Sequence, residues 1–479
     1  MERPTPTPLM KVAAGLFRRL ATFPITAPAL LLLLMLSTAW LTHVARRELS
    51  PRDSLTQQLD LLSASLVMLQ SFQVDSGQSV PEIWSERLGP EQASRRWRAS
   101  REQIWWKGWV SSGSSVLVLP RQQGSTAGNS PLDRLLPGFD LVFSDPAERS
   151  SFMESLRPQP GDPSPLERFC LRALEVSTAV RWTPEALLPM AGPLASMLNS
   201  ASHGCLVLNV DAKDLRWSGV FASRPLRDAP RRLKPPRGTT PLAPGRLRAP
   251  MASDPSLLPM LQLDSSTAEP VLSGILNRPL IRDGLEKDYG LTLAMRRQLL
   301  EVPMRLSVEP QAKGPFQARV QIDLQLPYRD PDVRRALELT ATRLEKQGFR
   351  RRRVDLVHPD GQTVIRATLW LDDDEDPGRV LGGWTWLPRD ASHGHPALLR
   401  MVLAGAPTLK RSATAELGSD SSMNLMLSPR DLVTHGLLPV SWPTVVRSAE
   451  RLMLRTMPLR GQTARDDSWR WVRGQLDVP

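Results

Sequence analysis

The longest uncharged apolar stretch of the chain covers residues 23–44 and contains a nearly pure leucine run at 29–36. At about 1.5 Å per residue, a helix of this length spans roughly 30 Å, which is the thickness of the hydrocarbon core of a bilayer. The pattern therefore predicts one transmembrane helix over residues 23–44. A cleaved signal peptide ending at the small residues Ser37, Thr38 and Ala39 is the alternative. Because the apolar pattern continues past Ala39, it favours an uncleaved anchor.

Residues 1–22, ahead of this stretch, form a basic amphipathic segment. Leu9, Val12 and Leu16 share one helical face, with Lys11 and Arg18 elsewhere. This arrangement is typical of a helix on a membrane surface or of a targeting peptide. Since arginines flank the apolar stretch on both sides, the positive-inside rule favours a cytoplasmic N-terminus by only a small margin. We therefore expect the large C-terminal part of the chain to lie outside the cytoplasm.

A second helical pattern follows the anchor. Ser50 and Pro51 are a capping residue and a first helical residue. Leucines then recur at spacings of four and three residues, which predicts an amphipathic helix with one apolar stripe: Leu55, Leu59, Leu62, Leu66 and Leu69. The stripe packs either on its own domain or against a second chain in a short coiled coil.

The first α+β half is predicted over residues 51–222. Residues 104–110, with three tryptophans and a lysine, are typical of a core strand, and a membrane-surface patch is the alternative. Residues 223–260 are rich in proline and arginine and have no apolar period. They are predicted to be an exposed linker between two halves.

The second α+β half is predicted over residues 261–458, followed by a C-terminal tail at 459–479. Apolar and polar residues alternate strictly over 319–326, which predicts a strand with one buried face and one solvated face. A helix from Asp330 to Gly348 and three further strands follow. The order of strand, helix and meander predicts an α+β fold with a largely antiparallel sheet and packed helices.

The two halves share a weak sequence signal. Asp145-Pro146 follows one predicted strand and Asp330-Pro331 follows another, and both lead into a helix with an apolar face. Aromatic strands ending in proline occur after each, near Trp217 and near Trp384. These repeats predict an internal duplication.

The chain also resembles a family of uncharacterised cyanobacterial membrane-anchored proteins, a domain of unknown function. The resemblance rests on the N-terminal anchor, on the strand, helix and hairpin unit over 319–371, and on the stretch 427–443 with its Leu-Ser-Pro-Arg-Asp-Leu motif. It covers mainly the last 220 or so residues. It implies the membrane of a photosynthetic prokaryote, with the large domain in the periplasm or thylakoid lumen. It implies no activity and no site residues.

Charge adds one candidate site. The chain carries 61 Lys and Arg against 49 Asp and Glu, a net charge of +12, which suits an anionic membrane or a nucleic acid. The sharpest basic run is Arg350, Arg351, Arg352 and Arg353, a candidate contact for anionic lipid or phosphate. A solvated strand end is the alternative. No stacking-aromatic module accompanies the run, so no nucleic-acid partner is expected.

The only two cysteines, Cys170 and Cys205, are candidate disulfide partners, and two buried thiols are the alternative. Asp372, Asp374 and Asp376 have the spacing of a calcium loop but lack its later ligands, and the chain has no recognisable catalytic, cofactor or zinc motif. We therefore expect no metal, no cofactor and no catalytic residue.

These features favour a non-catalytic accessory or scaffold protein, anchored in a membrane, with partner proteins in the same membrane and an oligomeric state that the sequence leaves open. One alternative is a module that binds a lipid or another apolar ligand in a pocket lined by residues such as Val320, Ile365 and Leu369. A second alternative is an enzyme whose active-site residues are dispersed along the sequence. A cleft containing carboxylates or histidines with perturbed pKa values would favour that enzyme.

Overall fold

The structure is a computed structural model, which describes residues 51–74, 77–100, 103–122, 131–156, 161–186, 201–211, 213–234, 259–268, 283–287, 291–311, 316–326, 331–357, 364–372, 379–387, 397–409, 423–437, 444–462 and 468–479. The chain divides into two units, Met1–Gln58 and Leu59–Pro479. The second unit contains every strand described below.

Helices begin and end as follows: α1 Pro51–Ser65, α2 Glu82–Leu88, α3 Pro90–Ala99, α4 Pro131–Leu135, α5 Pro146–Ser155, α6 Pro165–Val176, α7 Leu293–Glu301, α8 Pro331–Lys346, α9 Pro429–Thr434 and α10 Thr444–Arg447, with a short 3-10 helix at Leu226–Asp228. The strands are β1 Met68–Gln73, β2 Ile104–Trp109, β3 Ser115–Pro120, β4 Phe139–Val142, β5 Ala179–Trp182, β6 His203–Val210, β7 Asp214–Ala222, β8 Leu261–Ser265, β9 Met304–Pro310, β10 Ala318–Leu326, β11 Arg350–Val357, β12 Val364–Leu371, β13 Val380–Leu387, β14 Ala397–Leu403, β15 Met423–Leu427, β16 Arg451–Pro458 and β17 Trp469–Asp477.

All 17 strands belong to one sheet, and every neighbouring pair is antiparallel. The pairings give the spatial order β4-β3-β2-β1-β5-β6-β7-β17-β16-β15-β8-β9-β10-β14-β13-β12-β11. Among the described residues, β4 and β11 pair on one side only. The predicted α+β class with a largely antiparallel sheet and packed helices is therefore confirmed.

The two halves of the chain meet at the pairing of β7 with β17. Nine residue pairs connect these strands, from Trp469 opposite Ala222 to Asp477 opposite Asp214. The sequence predicts a C-terminal tail at 459–479, but residues 469–477 of it form an interior strand with Trp471 and Val472 buried. The alternation of apolar and polar residues in this stretch is the pattern of a strand.

Helices cover both faces of the sheet in the first half. Trp105 and Trp106 are consecutive in β2, so their side chains leave the sheet on opposite sides. Trp105 packs edge-to-face against Trp84 of α2 and Trp97 of α3. The indole Nε1 of Trp106 donates to the carbonyl oxygen of Leu174 in α6, at 2.9 Å. The tryptophan strand therefore lies in the core, and neither Trp105 nor Trp106 reaches the surface.

Helix α6 follows directly from its sequence. The Ser164 hydroxyl accepts a hydrogen bond from the backbone N–H of Glu167, and Pro165 occupies the first helical position. Its buried face consists of Leu166, Cys170 and Ala173 together with Leu171 and Leu174.

In the second half, helices α7 and α8 cover the face of the sheet that α2 and α3 cover in the first half. Val333 of α8 packs with Leu324 of β10 and Leu399 of β14 in one apolar cluster. The predicted meander is present as β11, β12 and β13. The next strand, β14, then returns to pair with β10.

The structure refines several of the sequence predictions. The leucine stripe is buried at Leu59, Leu62, Leu66 and Leu69, but α1 ends at Ser65 and Leu69 lies in β1. Part of the predicted linker, residues 223–234, is packed, with Leu226 and Leu233 buried. Residues 235–258 lie outside the described residues.

The matched motifs of the predicted duplication occupy different places in the sheet. Pro146 begins α5 after β4, which pairs with β3 alone among the described strands. Pro331 begins α8 after β10, which lies between β9 and β14. The duplication therefore stays a prediction.

No helix in the described part of the chain is long and apolar enough to span a bilayer, and the predicted segments 1–22 and 23–44 lie outside that part.

Candidate functional sites

Alternation along β11 divides the predicted arginine cluster between two faces of the sheet. Arg351 and Arg353 face α8, where Arg351 pairs with Glu338 at 2.7 Å and with Glu345 at 2.9 Å. Arg353 lies 3.9 Å from Glu338. Arg350 and Arg352 lie on the opposite face, across from residues of β12. The structure does not bring the four guanidinium groups together, and a lipid or phosphate contact of this strand stays a prediction.

The two cysteines lie next to each other. Cys170 of α6 and Cys205 of β6 are both fully buried free thiols whose side chains interact. Burial, followed by the hydrogen bond with Cys205, raises the pKa of the Cys170 thiol. Because the thiolate is the reactive form, Cys170 is a poor nucleophile. The predicted disulfide stays a prediction, although the structure supplies the neighbouring pair that it requires.

Charged groups gather beneath α6, at the junction with α1 and β5. The carboxylate of Glu167 is 1% exposed and lies 3.5 Å from a guanidinium nitrogen of Arg181 and 3.9 Å from one of Arg227. Arg227 also pairs with Asp60 of α1 at 3.3 Å. Burial raises the pKa of Glu167, against the opposing effect of Arg181.

His203 of β6 lies close to this cluster. Burial, and then the positive charge of Arg181, lowers the pKa of the His203 imidazole. Glu167 and His203 are thus the perturbed groups that the enzyme alternative requires. Because Glu167 is buried under α6, however, it cannot meet a substrate in this conformation. The ion pairs of the cluster connect α1, α6 and β5 and stabilise the packing of these elements.

The face of the sheet opposite α7 and α8 carries a row of polar residues on directly opposed positions of nine adjacent strands. We call this set the polar row: Ser218, Arg473, Arg455, Asn424, Asp264, Arg305, Asp323, Arg400 and Thr385. The prediction that the polar side of β10 is solvated is wrong, since Gln321 and Asp323 are buried. These residues are covered because β10 is an interior strand whose neighbours bring matching polar groups.

Two ion pairs occupy one end of the polar row. The guanidinium of Arg400 donates two hydrogen bonds to the carboxylate of Asp323, both at 2.8 Å, and a third to the carbonyl oxygen of Thr408 at 2.6 Å. Arg305 donates to Asp264 at 2.5 Å. Every charge at this end has an opposite charge on the neighbouring strand.

A cleft of about 480 Å³ lies between the β9–β10 connection and the end of α9. Gln311, Phe316 and Gln317 line one side, and residues 433–436 line the other. Its size is within the range of ligand sites, but amides contribute most of the first side. The pocket proposed for an apolar ligand would lie elsewhere, and its residues Ile365 and Leu369 are packed in the core.

Of the three aspartates at calcium-loop spacing, Asp372 pairs with Arg379 at 2.8 Å, and Asp374 and Asp376 lie outside the described residues. Within the described ranges, no group of three or more His, Cys, Asp or Glu is placed to hold a metal ion.

A scan against protein-family models, a search of curated proteins and a search of solved structures each found no match to this chain.

The polar row and the Glu167 cluster were not anticipated from the sequence. A usable signal is a charged residue in the interior of a strand between uncharged neighbours, as at Arg455 in β16 and Arg473 in β17. Such a residue implies a buried partner or a ligand. The partner itself is not visible locally, because Asp323 and Arg400 are 77 residues apart.

Proposed function

We propose that this chain is a membrane-anchored, non-catalytic accessory protein that holds partner proteins together during assembly or maintenance of a membrane or envelope system. The observation that carries the proposal is the unbroken antiparallel sheet, whose last strand, β11, pairs with β12 alone in the described part of the chain. An open strand edge offers backbone N–H and C=O groups to an incoming strand.

The chemistry of β11 supports a selective contact. Its arginines alternate between the two faces. At the far end of the β11–β12 pair, Val357 of β11 and Val364 of β12 oppose each other and are 63% and 60% exposed. A partner segment of extended, acidic and partly apolar character would add to this edge. The arginines also discourage unselective pairing between copies of the chain.

The anchor belongs to the same proposal. The uncharged stretch 23–44 is long enough to cross a bilayer as one helix. We propose that it holds the domain on the extracytoplasmic side of a prokaryotic membrane, as the cyanobacterial resemblance implies, and that the two α+β halves are related by duplication.

Co-purification of the detergent-solubilised native chain tests the edge. Adjacent residues of a strand direct their N–H groups to opposite sides of the strand. Of the two variants Val354→Pro and Asp355→Pro, one therefore removes an N–H that points outward from the sheet edge, and the other removes an N–H of the β11–β12 ladder. The outward variant should keep the melting temperature of the wild-type chain and lose its partners. Partners retained in full by that variant would exclude the edge as the docking surface.

Membrane attachment is tested separately. The full chain should stay in the membrane after alkaline extraction, and protease added to sealed vesicles should reach the large domain only from the non-cytoplasmic side. Release of the full chain by alkali, or digestion from the cytoplasmic side, would contradict the anchor or its orientation.

A further inference from the structure

Two arginines of the polar row lack the partners that the others have. Arg455 of β16 and Arg473 of β17 stand directly opposite each other. Neither has a hydrogen bond or ion pair with any residue in the described part of the chain, and the Nε atom of each is buried without an acceptor. Like charges on directly opposed positions are destabilising, so this pair calls for an explanation.

Other partly bonded arginines of the protein differ from Arg455 and Arg473. Among the described residues, eight arginines have a buried guanidinium nitrogen without an acceptor. Six of them bond through another nitrogen, such as Arg96 to Asp140 and Arg319 to the carbonyl oxygen of Ala406. Arg455 and Arg473 are the two that do not.

The rest of the polar row shows how this sheet accommodates a buried arginine. Arg305 lies beside Asp264 and Arg400 beside Asp323, each pair on neighbouring strands. No acidic residue stands next to Arg455 or Arg473 in the row, since their neighbours there are Asn424 and Ser218.

Ser218 is the third group of the row without a partner. It lies opposite Arg473 on β7, is fully buried, and its hydroxyl has no hydrogen-bond partner in the described part of the chain. A buried polar group without a partner costs about 1–3 kcal/mol. A solute does not reach this hydroxyl, so the accessible donors are those of Arg473 and Arg455, on strands about 4.8 Å apart.

We propose that Arg455 and Arg473 form a binding site for a phosphate group. Guanidinium groups bind phosphate through paired, charge-assisted hydrogen bonds. Two adjacent positive charges match a phosphate monoester, with its charge of about −1.5 to −2, better than a singly charged carboxylate. Both arginines are half-buried, so their guanidinium groups are partly accessible to a solute although their Nε atoms are not.

The site is distinct from the arginine run that the sequence singled out. Arg335 of α8 is exposed on a helix that covers the opposite face of the sheet. It therefore serves as the matched control, because Arg335→Gln removes the same charge as Arg455→Gln or Arg473→Gln without touching the polar row or β11.

Binding is measured on the full-length chain in detergent, by the shift in melting temperature with inorganic phosphate at constant ionic strength. Phosphate should raise the melting temperature in a saturable way, and chloride or acetate should not. Arg455→Gln and Arg473→Gln should each weaken the phosphate response about tenfold or more, because a hydrogen bond to a charged group is lost. Arg335→Gln should leave the phosphate response unchanged.

Two further measurements distinguish a loss of phosphate binding from a loss of folding. Removing one of two opposed like charges should leave the melting temperature of the phosphate-free chain equal to or above that of the wild-type chain, whereas a purely structural role would lower it. Arg473→Lys keeps the charge but loses the paired geometry, and should show an intermediate response.

The source of the phosphate group is separated by a second arm. Vesicles of phosphatidic acid, a phosphate monoester, in phosphatidylcholine that compete with inorganic phosphate would identify a lipid headgroup, and a lack of competition would identify a free phosphorylated solute. Absence of a saturable phosphate response in the wild-type chain, or an equal response in the Arg455 and Arg473 variants, would overturn the proposal.

Discussion

Loss of one member of the Asp323–Arg400 pair should destabilise the protein strongly, and loss of both should do less damage than the sum. The two residues are 3% and 2% exposed at their side chains and share two hydrogen bonds of 2.8 Å. Asp323→Leu leaves the Arg400 guanidinium buried without a counter-ion. We expect a loss of about 3–5 kcal/mol in the free energy of unfolding, and a similar loss for Arg400→Met.

The double variant, Asp323→Leu with Arg400→Met, shows how much of each single loss comes from leaving the other charge buried without its partner. Independent effects would add to about 6–10 kcal/mol, but replacement of a buried ion pair by apolar residues is often close to neutral. Here the carbonyl oxygen of Thr408 and the side-chain amide of Gln321 lose a partner. We therefore expect the double variant to lose about 1–3 kcal/mol.

Thermal unfolding of the detergent-solubilised chain measures these changes. For a cooperative unit of roughly 400 residues, a loss of 3–5 kcal/mol lowers the melting temperature by about 4–6 °C. The control is Asp355→Asn, which breaks the exposed Asp355–Arg366 pair at 3.5 Å and should cost about 1 kcal/mol or less. The reasoning fails if Asp323→Leu shifts the melting temperature no more than Asp355→Asn, or if the double variant loses the full sum.

Three further predictions follow from other parts of the molecule. Mass spectrometry of the unreduced protein, with a thiol-blocking reagent present from lysis, should yield a Cys170–Cys205 cross-linked peptide if the domain faces an oxidising compartment, and two alkylated thiols would reject the bridge. Because burial raises the pKa of Glu167, the folded chain keeps a proton that the unfolded chain releases, so stability should fall as the pH rises above 4.5 through the folded pKa. Glu167→Gln should flatten that dependence in melting curves, and an unchanged slope would contradict it. Limited proteolysis should cut first within 235–258, and the fragments should co-elute in native gel filtration because β7 and β17 pair, whereas separate elution would argue against that pairing.

Sequence reasoning succeeded where one residue's neighbours along the chain decide its structure. The start of α6 could be predicted because Ser164, Pro165 and Glu167 together satisfy the first turn of a helix. The strand at Ile104–Trp109 and the alternation in β10 could be predicted because strand side chains have a period of two.

It failed where the decisive partner is remote. The polar side of β10 resembles a solvated face until Arg400, from β14, is placed beside Asp323. Nothing near residues 469–477 indicates that their partner strand is β7. The division of Arg350–Arg353 between two faces, by contrast, follows from strand periodicity alone, once those residues are assigned to a strand and not to its end.

The pairing of β7 with β17 has a consequence for how the protein is made. Strand β7 ends at Ala222, but its partner strand comprises residues 469–477. The two neighbours of that strand, β7 and β16, therefore keep open edges until residues 469–477 have been synthesised. A product truncated before residue 469 exposes two strand edges in the middle of the sheet, where they invite aggregation and recognition by chaperones and proteases. Synthesis of β17 is therefore the step that closes the interior of the sheet.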